Sequence, residues 1–81
     1  MNLPEKKFRA GSMTATVWRN ESTKDGETIM YPTITFERSY KDKDGSWKTT
    51  NTLRTGDLPK ASLVLNKAFE YLSLGDEATS N

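Results

Sequence analysis

The chain has 81 residues, a net charge of +1, and neither cysteine nor histidine. A chain this short is expected to form one domain with a small core, and missing both residue types excludes disulfides, thiolate metal sites, thiol nucleophiles and the commonest general base near neutral pH. It has no apolar run near the ~20 residues of a membrane span and no signal peptide, so a soluble, cytoplasmic, non-catalytic protein without metal or cofactor is expected.

Residues 1–6 are polar and read as loose. From Ser12 to Glu21 the chain alternates, with Met13, Ala15 and Val17 on one side and Thr14, Thr16 and Trp18 on the other. This period of two, with β-branched residues, predicts a strand. Ser22–Gly26 is a polar turn ending in Asp-Gly. A second strand is predicted over Thr28–Tyr40, with Ile34, Phe36, Arg38 and Tyr40 on one face and Thr33, Thr35, Glu37 and Ser39 on the other. Pro32 lacks an N–H, which calls for an edge position or a bulge.

Lys41-Asp42-Lys43-Asp44-Gly45 is a hairpin signal, and Ser46–Arg54 reads as the third strand. A four-residue loop, Asp42–Gly45, would pair Tyr40 with Trp47, Phe36 with Asn51 and Ile34 with Leu53, keeping the apolar residues together. In the first hairpin the same logic pairs Val17 with Ile34 and Ala15 with Phe36. The loop also resembles a calcium-binding turn, but its glycine comes too early and Leu53 stands where a bidentate glutamate is needed.

Asp57 and Pro59 mark a helix start. Ala61, Val64, Leu65, Ala68 and Leu72 recur at spacings of three and four, as an amphipathic stripe requires. Gly75 is the expected stop. The predicted class is α+β: a small twisted antiparallel sheet of three to four strands followed by one amphipathic C-terminal helix, with the domain spanning residues 1–75 and a disordered tail at 76–81. Leu63, Phe69 and Leu74 leave more apolar helix surface than short strands can cover, which predicts a homodimer through the helices.

Aromatic and basic residues interleave on the strands. Trp18, Tyr40 and Trp47 are candidates for stacking on bases, and Arg38, Lys48 and Arg54 for holding phosphates, with Lys7 and Arg9 as a basic arm. Single-strand binding takes this combination, because flat rings stack on any base while cations follow the backbone. Strands also favour Trp, Tyr and Thr for packing alone, and Tyr40 with Trp47 could be a cross-strand core pair. The two functions in view are a single-stranded DNA or RNA binder of little sequence preference and a protein-interaction or structural module.

The run Phe36-Glu37-Arg38-Ser39-Tyr40, the turn Asp42-Lys43-Asp44-Gly45 and Lys48 after it resemble the central hairpin of single-stranded DNA-binding transcriptional coactivators of the positive cofactor four type, which lie near the Whirly proteins. The resemblance covers Thr33–Leu72. It implies a curved antiparallel sheet, one helix, a dimer, and Tyr40 at the position of the stacking aromatic. Glu37 stands where the family has a DNA-contacting arginine, and Asn51–Leu58 replaces its Gly-Lys-Gly-Ile segment. The run from Arg38 to Lys48 also looks like that of small uncharacterised prokaryotic or phage proteins.

Overall fold

The computed structural model describes residues 3–79, with side chains described through residue 74. Four strands precede one helix: β1 (Leu3–Ala10), β2 (Met13–Lys24), β3 (Glu27–Lys41), β4 (Trp47–Thr50), a 3-10 turn (Thr55–Asp57) and α1 (Leu58–Thr79). The strands form one antiparallel sheet in sequence order. The α+β reading from the sequence therefore holds. Among the described residues no helix is long and apolar enough to cross a membrane.

The start of the chain is not loose. Leu3–Ala10 pairs along β2, with a bulge between Pro4 and Lys6. The polar side chains there hid the strand, because Phe8 and Ala10 are its apolar residues packed against the core. The bulge turns Glu5 toward α1, where its carboxylate accepts hydrogen bonds from Tyr71 Oη (2.8 Å) and Arg19 Nε (3.2 Å).

The β2–β3 register is the expected one, with Val17 opposite Ile34 and Ala15 opposite Phe36. Asp25 and Gly26 join the two strands with φ of 53° and 79°. Two successive positive φ values make the mirror-image turn whose twist suits a hairpin, and Asp-Gly tolerates it. Pro32 lies where β3 has β2 on one side and no paired strand on the other, since β4 pairs only with Arg38–Lys41.

The β3–β4 register is shifted by one residue. Tyr40 faces Lys48 and Lys41 faces Trp47, so Trp47 does not meet Tyr40, nor Phe36 Asn51, nor Ile34 Leu53. Turn chemistry overrode the apolar pattern. The Asp42 N–H donates to Ser46 O (2.8 Å) and the Gly45 N–H to Asp42 O (3.0 Å), leaving a three-residue loop. Gly45 occupies the left-handed position (φ 88°) that such a loop needs. The Asp42 carboxylate accepts the Lys43 amide and that of Asp44 the Ser46 amide. β4 ends at Thr50, well short of Arg54.

α1 rests on β1 and β2 and scarcely touches β3. Met13, Ala15 and Val17 meet Val64 and Ala68, with Phe8, Phe36, Leu53 and Tyr71 around them. Ala15, Ala61 and Ala68 are small, so helix and sheet approach closely. Leu65 and Leu72 belong to the predicted stripe, yet they sit on its outer flank and stay exposed. Gly75 does not end the helix, which continues through it to Thr79; residues 80 and 81 of the expected tail lie outside the described residues. Beyond Asn20 and Tyr31, β2 and β3 pair only with each other and run on as a two-stranded ribbon. The radius of gyration is accordingly 15.4 Å, against about 12 Å for a compact chain of this length.

Candidate nucleic-acid interface

Residues opposite one another in a sheet share a face, so the registers sort the candidate residues. Met13, Ala15 and Val17 mark the helix face. The open face carries Thr14, Thr16, Trp18 and Asn20 of β2, and Tyr31, Thr33, Thr35, Glu37, Ser39 and Lys41 of β3. Lys7 and Arg9 flank Thr16 and Thr14 from β1, and Trp47 and Thr49 continue the surface on β4.

The floor of this face is held by side-chain hydrogen bonds. Trp18 is half-buried and its Nε1 donates to Thr35 Oγ1 (2.7 Å), which lays the indole diagonally across the sheet. Asn20 is buried, and its Nδ2 donates to Thr33 Oγ1 (2.8 Å) and Tyr31 O (3.2 Å). Thr16 is buried beside them. Trp47, by contrast, is 69% exposed. Along β3, Trp18 is level with Thr33 and Trp47 with Lys41, a separation of about 26 Å at ~3.3 Å per residue. Two rings so far apart cannot clamp one base; they could engage a strand lying along the sheet. Arg9 Nε donates to Gly11 O (3.2 Å), which steadies its guanidinium. Among the described residues between the two tryptophans, Glu37 is the one carboxylate on this face.

Three candidates lie on the other side. Arg38 points into the helix face, where its side chain is 14% exposed. Its Nε donates to Thr52 O (3.0 Å) and lies 3.4 Å from Asp57 Oδ2, and its guanidinium sits 5.7 Å from the Tyr40 ring centroid. Asp57 also accepts the Arg54 N–H (2.8 Å), so the residue expected to cap the helix instead closes the 3-10 turn before it. Lys48 faces Tyr40 and ion-pairs with Asp42 at 2.7 Å. That contact first, and the Lys43 amide second, hold the Asp42 carboxyl below its usual value. Arg38 thus ties β3 to the 3-10 turn before α1, with Tyr40 against its guanidinium, while Lys48 braces the turn of its own hairpin. Arg54 is exposed in the segment leading to the 3-10 turn.

Replacing Arg38 with alanine is expected to destabilise the fold by about 1–3 kcal/mol, because it strips the mostly buried Asp57 (21% exposed) of its charged partner. Thermal melts followed by circular dichroism check this, and an unchanged melting temperature would contradict the role.

Lys41 is the basic residue missed from the sequence. It lay inside a turn signal, and only the shifted register brings it level with Trp47. Leu63, Phe69 and Leu74 are all exposed but do not form one surface. Leu63 and Leu74 fall in line with Lys67 and Glu70, whereas Phe69 lies with Leu58, Leu65 and Leu72. Comparison with protein-family models, curated proteins and solved structures finds no match for this chain.

Proposed function

We propose that this protein is a non-catalytic binding module that takes single-stranded nucleic acid, DNA or RNA, along the open face of its sheet. The observation that carries this reading is the placement of Trp18 and Trp47 on one solvent-facing surface with Lys7, Arg9 and Lys41 beside them. The rings supply stacking without sequence preference, the cations neutralise phosphates, and the threonines between them offer hydroxyls to phosphate oxygens. The resemblance of the central hairpin to single-strand-binding coactivators points the same way. The contacts differ from those it implies, because Tyr40 belongs to the helix face and stacking here falls to the tryptophans.

Titrating the protein with oligo-dT while following tryptophan fluorescence tests the proposal. Quenching is expected at low salt. With about three phosphates neutralised, log K should fall with log salt at a slope of roughly −2. Duplex DNA, whose bases are already stacked, should bind more weakly. An unchanged spectrum at low salt rules the reading out. The second reading, a protein-interaction module, draws on the apolar surface of the opposite face.

A further inference from the structure

We infer that Glu37 selects guanine at the middle of a strand bound on the open face. The inference rests on the nucleic-acid reading above and names the base that this face prefers. Glu37 lies four residues along β3 from Thr33, which is level with Trp18, and four from Lys41, which is level with Trp47. It therefore stands midway between the two rings, about 13 Å from either level at ~3.3 Å per residue. Its side chain is exposed, and among the described residues nothing pairs with its carboxylate. Arg9 stands in the same row, across Thr14, but its Nε donates to Gly11 O. Glu5, Asp42, Asp57 and Glu70 each hold a cation, whereas Glu37 keeps both oxygens open.

A carboxylate on a phosphate-binding face repels the backbone it lies under. It gains only from groups that donate, and in a DNA strand those lie on the bases. An ionised carboxylate accepts and never donates, so two adjacent donors suit it best. Guanine has them: its N1–H and N2–H₂ sit side by side on the Watson–Crick edge and match the two carboxylate oxygens. Adenine and cytosine set one amino group beside a ring-nitrogen lone pair, and thymine sets its N3–H between two carbonyls. Each of these turns an acceptor toward the carboxylate. The neighbours of Glu37 extend the match. Thr35 and Ser39 flank it on the same face. Thr35 Oγ1 accepts the Trp18 indole N–H, which leaves the threonine's own proton to donate, and guanine O6, next to N1, is an acceptor. With bases stacked at Trp18 and Trp47, the strand lies along the sheet and the bases between the rings turn their free edges to β3. A bidentate pair of this kind discriminates by at least about fivefold in affinity.

Fluorescence titration of the full chain with four strands of equal length, oligo-dT and alternating d(TG), d(TA) and d(TC), tests the inference. The d(TG) strand should bind about fivefold or more tighter than each of the others. The d(TA) strand controls for the stronger stacking of a purine. Glu37→Gln replaces one acceptor oxygen with a donor and removes the charge. It should bring d(TG) down to the level of d(TA), while oligo-dT binds as tightly as before or more tightly, since a repulsive charge has gone. Glu37 is exposed, so the variant should melt like the wild type, and a change in the ratio of the two affinities reports base contact and not support of the fold. Equal binding of d(TG) and d(TA) by the wild type overturns the inference and leaves the nucleic-acid reading standing. A guanine preference that survives in Glu37→Gln overturns the role of Glu37. Failure of all four strands to bind overturns both readings together.

Discussion

Replacing Val17 with aspartate is expected to leave a chain with no cooperative unfolding transition. Val17 is wholly buried (0% exposed) and, among the described residues, is the largest side chain so enclosed. It occupies the centre of β2, paired with Lys6 on one side and Ile34 on the other, and it packs in the cluster with Val64 and Ala68. A carboxylate there is sealed from water, and must either remain charged in an apolar site or take up a proton. Either costs several kcal/mol. A domain of this length holds only about 4–12 kcal/mol of stability in total. The milder Val17→Ala removes two methyl groups and should cost about 2 kcal/mol, lowering the melting temperature by roughly 10 °C. Circular dichroism melts measure both. A Val17→Asp chain that melts like the wild type would mean that the helix does not pack on this face of the sheet.

The second large effect concerns ligand binding. Alanine at both Trp18 and Trp47 should abolish oligo-dT binding, because each stacked base contributes about 1–3 kcal/mol, and two such losses correspond to at least ~20-fold in affinity. The single variants separate contact from support. Trp47 projects into water, so Trp47→Ala should weaken binding by about fivefold or more and leave the melting temperature nearly unchanged. Trp18 also donates to Thr35 and covers the threonine floor, so Trp18→Ala should lower both binding and stability. Trp18→Phe keeps a ring but loses the N–H, and should retain most of the affinity. Binding that survives loss of both tryptophans would place the strand elsewhere or remove it from the protein's function altogether.

The two hairpins show where reading from residues works. In β2 and β3 the alternation is long, one set is apolar and the other is threonine-rich, so a one-residue slip would expose Ala15, Val17 and Phe36 together. That register was legible. β4 has four residues and one large apolar side chain, Trp47, which stays in water. With so little burial at stake, the three-residue turn at Gly45 set the pairing. The slip exchanged the faces of Trp47 and Lys48, bringing Trp47 to the open face and committing Lys48 to Asp42. A candidate site whose members straddle a short strand cannot be assembled from alternation alone.

By itself the sequence determined the class of fold, the central β2–β3 pairing, the absence of thiol and imidazole chemistry, and the pool of rings and cations from which a binding face could be made. These follow from local rules: β-branched alternation, Asp-Gly turns and an apolar helical period. Only the tertiary structure decided that Leu3–Ala10 is a strand, that Arg38 braces the 3-10 turn against β3, that Lys41 joins Trp47, and that α1 covers only half the sheet. Each of these depends on what a residue meets across space, through register, helix roll and bulge placement, and these are settled by the balance of burial and hydrogen bonding over the whole chain.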